Sequence, residues 1–259
     1  MKQIGYGIKR IGLLAVALAA GFAGFSRAAD GTWTGAGTDC NWLNADNWLD
    51  GVIPGDWASA VFSSGVVSGI VTNNSYIGHH AITVDAGCTK DIVINGPESV
   101  PQQGAPITVT GANLTFNTDF NAWGTSVSFV VADGKTLTFN GKINWTGEAP
   151  TASSVAINGI GTVVMTCAGL YTGGTTVNGG TLRTTAANGA GPGAMAVASG
   201  ATWKYGTACQ TVAGLSGAGH VTRTNTGGMV STGTDGAAQI SADKNYILKL
   251  DFNNSGEGA

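Results

Sequence analysis

The sequence predicts an all-β fold, a parallel β-helix in which short strands stack coil upon coil. Its central stretch, residues 161–182, reads GTVVMTCAGLYTGGTTVNGGTL and holds two β-branched runs within about one coil's length. The glycine pairs at 173–174 and 179–180 are expected to supply the positive φ angles of sharp corners. Because a two-strand coil cannot bury its own apolar row, copies of it have to stack.

Copies of this unit recur along the chain, each with a glycine ahead of an apolar run. Successive leading glycines are 24, 23, 27, 19, 20 and 19 residues apart, which is the spacing of a solenoid repeat. A second run precedes most of them, so two strands per repeat and about seven coils are predicted. The runs after the glycines are at 92–94, 114–116, 137–139, Val163, Leu182, Trp203 and Val221. The preceding runs are at 82–84, 107–109, 127–131, 155–157, Val177, Val197 and Val212.

The central stretch resembles a known family, the autotransporter-associated β-strand repeat, also called the passenger-associated transport repeat. Residues 171–182, YTGGTTVNGGTL, match the end of its pattern residue for residue, whereas Cys167 and Gly169 stand where the family tends to carry Gly and Asn. The resemblance covers about residues 161–222. It implies a single-stranded, right-handed parallel β-helix of the pectin-lyase-like kind in an exported surface protein, and it brings no catalytic residue with it.

Residues 1–29 have the organisation of a secretory signal peptide. Three basic residues, Lys2, Lys9 and Arg10, precede an apolar stretch at 11–25, which is followed by small residues, and cleavage is expected after Ala28 or Ala29. The alternative is an uncleaved membrane anchor, for which the apolar stretch is short and interrupted by glycine. The sequence therefore predicts export, to the cell surface, the outer membrane or the extracellular space.

Charge is scarce and acidic in the predicted mature chain. After residue 29 there are 8 Lys and Arg against 15 Asp and Glu, a net charge of −7. This balance argues against nucleic acid and anionic membrane surfaces as partners, since both attract basic patches. Charged residues make up 10% of the whole chain, against about 25% in most proteins. In stacked parallel coils, like charges would lie about 4.8 Å apart and repel, which favours small neutral side chains.

Residues 30–85 form a distinct segment that is rich in tryptophan. Its first part, residues 30–64, holds four of the seven tryptophans and resembles the amino-terminal part often found ahead of these repeats, and the rest is a transition. The Trp-rich part is predicted to cap the open strand edge of the first coil. The functional alternative is an aromatic platform that stacks on sugar rings, which would make the segment a glycan-binding module. The candidate glycan-binding residues are Trp33, Trp42, Trp48 and Trp57.

The remaining candidate residues do not form a catalytic or metal-binding pattern. The four cysteines, which are Cys40, Cys88, Cys167 and Cys209, lack CxxC spacing and are expected either as small buried residues or in one or two disulfides of unknown pairing. Asp46 and Asp50 resemble part of a calcium loop, but Trp48 stands where that loop needs an oxygen ligand. His220 has no nucleophile pattern beside it, and the adjacent His79 and His80 would point to opposite faces of a strand. No cofactor or metal is predicted.

Residues 86–259 are predicted as the repeat region, with a further strand at 245–252 and a C-terminus that reads as truncated. The predicted function is an exported, non-catalytic stalk or passenger with an adhesion or matrix role. An extracellular glycan or another surface protein is the expected partner, and contact with a membrane is expected only through a missing anchor or barrel. The rival class is a polysaccharide lyase or hydrolase, whose clustered carboxylates are not matched by the sparsely spread acidic residues of the repeats.

Overall fold

The computed structural model describes residues 28–74, 79–98, 100–102, 105–122, 126–143, 152–206, 208–223 and 230–232. The predicted signal peptide lies outside these residues except for its last two positions, and the predicted strand at 245–252 lies outside them entirely. Two 3-10 helices are described, η1 (Ala45–Asn47) and η2 (Leu49–Gly51). All other regular structure in the described residues is β-strand.

The strands are short, and most have three to five residues. The first ten are β1 (Gly31–Trp33), β2 (Ala58–Phe62), β3 (Ile70–Thr72), β4 (His79–Val84), β5 (Ile92–Asn95), β6 (Val100–Gln102), β7 (Ile107–Val109), β8 (Leu114–Phe116), β9 (Phe120–Ala122) and β10 (Val127–Val131). The next six are β11 (Thr136–Phe139), β12 (Val155–Gly159), β13 (Thr162–Met165), β14 (Thr175–Val177), β15 (Thr181–Thr184) and β16 (Met195–Val197). The last five are β17 (Thr202–Tyr205), β18 (Gln210–Val212), β19 (Leu215–Gly217), β20 (His220–Arg223) and β21 (Val230–Thr232).

Two long parallel sheets confirm the predicted parallel β-helix. In the first, here called sheet A, the strands follow one another as β1-β2-β4-β7-β10-β12-β14-β16-β19. In the second, sheet B, the order is β3-β5-β8-β11-β13-β15-β17-β20. The chain alternates between the sheets, so each strand of sheet A is followed along the chain by one of sheet B from β2 onward. A coil is therefore laid on the coil before it.

Sheet B carries the interior row on which the predicted fold depends. The side chains at one register position are Ile92, Leu114, Leu137, Val163, Leu182, Trp203 and Val221, each paired with the next. None of them is more than 2% exposed. All seven apolar runs that were predicted after the leading glycines lie in this sheet. The row removes from water the apolar surface that a single coil could not bury alone.

Six of the seven predicted preceding runs lie in sheet A, and the last assignment was wrong. Val212 belongs to β18, which pairs with β21 in a separate two-stranded sheet. The position in sheet A is taken instead by β19, whose Leu215 is the register partner of Met195. The physical reason is local, because the amide of Met195 donates to the carbonyl of Gly214 at 2.8 Å and so starts the new strand three residues after Val212.

A third, shorter side of the coils was missed by the two-strand prediction. Strand β6 pairs with β9, and single parallel bridges extend this ladder from Phe120 to Ile143 and from Ile143 to Gly169. The inward ring of Phe120 meets those of Phe116, Phe129 and Phe139 at centroid distances between 5.2 and 6.0 Å. Three sides therefore close around one aromatic centre.

The two glycines of each pair in the central stretch differ in conformation, although both lie close to the backbone of a neighbouring coil. The second glycine of each pair has a positive φ, +95° at Gly174 and +60° at Gly180. The first glycine of each pair does not have a positive φ. A Cβ atom there would lie 2.2 Å from the carbonyl oxygen of Ala152 at Gly173, and 2.4 Å from that of Gly159 at Gly179. The prediction of positive φ thus holds for one glycine in each pair, and close backbone approach explains the other.

Candidate functional site

The tryptophans of the amino-terminal segment form a packed cluster. Trp33, Trp42 and Trp48 are 1%, 1% and 3% exposed, and their ring centroids lie 4.7 to 6.4 Å apart. The indole N–H of Trp33 donates to the carbonyl oxygen of Ser68 at 2.8 Å, and that of Trp48 to the carbonyl oxygen of Trp42 at 2.7 Å. Both groups therefore keep a hydrogen bond in an apolar setting, as buried indoles usually do.

The same segment covers the outer edges of the first strands. Trp33, in β1, forms an antiparallel bridge with Trp48. In β3, the amide of Thr72 donates to the carbonyl of Cys40 at 2.7 Å, and the carbonyl of Thr72 accepts from the amide of Trp42 at 2.9 Å. Edge strands left open invite pairing with other chains. Residues 40–48 therefore cover the outer edge of β1 in sheet A and the outer edge of β3 in sheet B. Strands β1 to β4 pair onward with the strands of the coils that follow.

A hydrogen-bonded network of Asp39 and Asn47 holds the segment in place. The amide side chain of Asn47 is fully buried, accepts from the amide of Gly37 at 2.9 Å and donates to the carbonyl of Asn41 at 3.0 Å. Asp39 accepts from the side chains of Asn44 and Asn47 at 3.0 and 3.2 Å. These hydrogen bonds favour the charged carboxylate and so lower the pKa of Asp39, and the bond from Asn44 makes the largest contribution.

Burial decides which of the four predicted glycan-binding tryptophans can meet a sugar. A sugar ring needs an accessible indole face, and Trp33, Trp42 and Trp48 turn theirs to one another. Trp57 is 41% exposed and has a φ of +67° just before β2. Glycan binding by this segment stays a prediction, and Trp57 is the side chain at which to test it.

A ladder of polar side chains crosses sheet B at the ends of its strands. The side-chain amide of Asn117 donates to Asn95 at 2.8 Å, and that of Asn140 donates to Asn117 at 2.7 Å. The hydroxyl of Thr166 then donates to Asn140 at 2.8 Å. This ladder was not predicted from the sequence, although its signal is present, because the motif LTFN ends in Asn at both 117 and 140.

None of the four cysteines forms a disulfide, which removes the disulfide alternative in this structure. Cys88 and Cys167 are buried, as expected for small core residues, whereas Cys40 is partly buried and Cys209 exposed. Burial is the main cause that raises the pKa of the Cys88 thiol, and it raises the pKa of Cys167 to about 12. The two buried thiols are therefore protonated, inert groups at neutral pH.

The other candidate residues lie apart from one another. Asp46 and Asp50 are exposed on η1 and η2, and His220 is exposed at the start of β20, while His79 and His80 begin β4. Within the described ranges, no group of three or more His, Cys, Asp or Glu residues is placed to hold a metal ion. In the same part of the chain, no helix is both long and apolar enough to cross a membrane.

One pair of charged residues became visible only in the structure. Arg183 in β15 and Lys204 in β17 are register partners on the outer face of sheet B, and both are exposed. They lie 21 residues apart in the sequence, inside the repeated patterns TLRT and TWKY. Only the register of the coils brings the two cations together.

Comparison with known proteins gives no relative on which to base an assignment. No family model, curated protein or solved structure matches this chain. Its function therefore has to be argued from its own residues.

Proposed function

We propose that this chain is an exported structural solenoid, the passenger or stalk of a bacterial surface or secreted protein with an adhesion or matrix role. The observation that carries the proposal is the unbroken interior row of sheet B, in which seven consecutive coils repeat one buried position from Ile92 to Val221. A core repeated in this way makes a rod, whose length grows with each added coil.

The dimensions of the coil stack suit a spacer. Strands of one sheet lie about 4.8 Å apart, so the eight strands of sheet B extend over about 34 Å. Each coil contacts mainly its neighbours, and Thr136, Thr162 and Thr181 occupy one register position on the outer face of three successive coils. We assign this surface a role in spacing and contact, with no catalytic step.

Two features of the sequence support export and a surface location. The first is the signal-peptide pattern of residues 1–29. The second is the resemblance of residues 161–182 to the autotransporter-associated repeat, whose members are exported passengers. In this proposal the Trp-rich segment is the cap of the rod, and a surface glycan or protein is its partner.

Expression of the full chain in a bacterial host, followed by cell fractionation and intact-mass measurement, tests the export step. We expect a mature protein that begins at Ala29 or Asp30 and lies outside the cytoplasm. The control is Leu14→Arg, which places a charge in the apolar stretch and is expected to leave the full-length chain in the cytoplasm. If the unsubstituted chain kept its full mass in the cytoplasmic fraction, the proposal would be wrong.

A further inference from the structure

Charge is divided unevenly along the solenoid axis. Residues 30–148 contain 11 acidic residues against 3 basic ones, whereas residues 149–234 contain no acidic residue and 3 basic ones, Arg183, Lys204 and Arg223. Coils are stacked in chain order, so this difference in sequence is also a difference in position. The amino-terminal coils are acidic, and the later described coils are basic.

The basic coils among the described residues carry an unneutralised pair of cations. Arg183 and Lys204, here called the basic pair, face solvent from neighbouring strands, about 4.8 Å apart at the backbone. Neither side chain forms an ion pair or hydrogen bond in the part of the chain that the structure describes. Like charges opposite each other on a sheet destabilise it. An acidic group that approached both cations would relieve this repulsion.

The acidic end carries exposed apolar side chains together with its carboxylates. On η1, η2 and the residues beside them, Leu43 and Leu49 are 46% and 53% exposed, and Asp46 and Asp50 are exposed as well. These four residues are here called the cap surface. Of the six large apolar side chains exposed in the described ranges, five lie between residues 43 and 70. Apolar surface concentrated in this way is typical of a place where another macromolecule binds.

We propose that copies of this chain associate head to tail, with the cap surface of one copy on the basic pair of the next. Asp46 and Asp50 supply the two negative charges, and Arg183 and Lys204 supply the two positive ones. Two cap surfaces would repel each other, and so would two basic pairs, which leaves the head-to-tail pairing as the complementary one. The chain itself carries both halves of the contact, so the partner is a second copy.

Such an interface uses different surfaces on the two copies. It leaves one cap surface and one basic pair free on each open assembly, so the copies grow into a filament unless the rotation between them closes a ring. This inference goes beyond the proposed stalk function and does not require export. It depends only on residues whose exposure and charge are described above.

Sedimentation equilibrium of the full purified chain tests the association. We expect concentration-dependent association that weakens at least about tenfold when NaCl is raised from 50 to 500 mM, because the contact joins exposed charges. The first variant, Arg183→Glu with Lys204→Glu, reverses the basic pair. The second, Asp46→Lys with Asp50→Asn, reverses the cap surface, and asparagine tolerates the φ of +54° at position 50.

Each variant alone is expected to associate at least about tenfold more weakly than the wild-type chain, since its two surfaces then carry the same sign. An equimolar mixture is expected to associate again, because the unchanged cap of the first variant meets the unchanged basic pair of the second. The control, Asp133→Lys on the exposed turn before β11, is expected to behave as wild type. Circular dichroism establishes that each variant keeps its β-sheet content.

Three results would overturn the inference. They are a wild-type chain that stays monomeric up to about millimolar concentration, variants that each associate as tightly as wild type, and a mixture that fails to associate. If reversing the basic pair weakened association but reversing the cap surface did not, the basic pair would bind an acidic group other than the cap surface. That result would also reject the head-to-tail contact.

Discussion

At the scale of single residues, burial changes the acid–base chemistry of Cys167. Its pKa is raised from 9.0 to about 12, mainly because burial disfavours the thiolate. In the unfolded chain the thiol ionises near pH 9, whereas in the folded chain it stays protonated. The stability that this thiol contributes is therefore complete below pH 9 and is lost as the pH rises from 9 towards 12.

We therefore expect the free energy of unfolding to fall more steeply with pH in the wild-type chain than in Cys167→Ala. The difference in slope between pH 9 and 10.5 is expected to approach about 1.4 kcal/mol per pH unit. Urea unfolding at several pH values measures it. Cys209→Ala is the matched control, since Cys209 is exposed, and it should keep the wild-type slope. Parallel curves for wild type and Cys167→Ala would contradict the expected role of burial.

A second prediction at this scale concerns two glycines that play the same part in different coils. Gly134 stands before β11 and Gly180 before β15, with φ of +67° and +60°. A Cβ atom at Gly134 would meet nothing within 4 Å, whereas one at Gly180 would lie 2.3 Å from the carbonyl oxygen of Gly161. Gly134→Ala is expected to cost about 1 kcal/mol for its φ alone, and Gly180→Ala more than about 3 kcal/mol because the backbone must shift. Chemical denaturation compares the two, and equal losses would show that φ alone matters.

At the scale of strands, the ladder of polar side chains ties four neighbouring strands of sheet B together, β5, β8, β11 and β13. Asn117 both donates and accepts, so Asn117→Ala removes two hydrogen bonds, while Asn140 still accepts from Thr166. We expect a loss of about 1 to 2 kcal/mol, because the ladder is exposed and water replaces part of it. Thr115→Ala, on the same strand and on its outer face, is expected to change stability by less than about 0.5 kcal/mol. Equal effects of the two substitutions would mean that the ladder adds nothing.

Strands with a strong local signal were predictable, and those without one were not. The runs in sheet B were found because a glycine and an alternating apolar pattern mark each of them, as at Leu114 and Leu137. Val212 and Leu215 are both apolar residues close to Gly214, so the pattern alone could not choose between them. Strands β6 and β9 have three residues each, and their sequences, VPQ and FNA, are not apolar runs, so only the pairing of the two strands identifies this side of the coils.

The candidate site was predicted less completely, because its features depend on distances between coils. The sequence predicted that the tryptophans form either a cap or a platform for sugar rings. Only the contacts of Trp33 with Trp42 and Trp48 show which of them are buried. The pairing of Arg183 with Lys204 needs a register that is correct over 21 residues. A register error of one residue in either strand would have placed that strand's cation in the interior.

At the scale of the whole molecule, the coils form a one-dimensional series in which each is supported by its neighbours. In sheet B, β11 lies between β8 and β13, whereas β3 and β20 are the end strands of the described sheet. The stability of such a stack is close to a sum of terms for each coil and each contact between neighbours. A central coil can open only by breaking two contacts with its neighbours, while an end coil breaks one.

Hydrogen exchange should therefore be graded along the axis. We expect the amides of β8, β11 and β13 to exchange at least about tenfold more slowly than those of β20, as measured by hydrogen–deuterium exchange with peptide-level mass spectrometry. At the other end, residues 40–48 cover the edge of β3 through two main-chain hydrogen bonds to Thr72, so β3 should be better protected than β20. Exchange of all coils together, at one rate, would show instead that the solenoid opens as a single cooperative unit. The difference between β3 and β20 isolates the contribution of the cap, because both are end strands of the described sheet and only β3 is covered by residues 40–48.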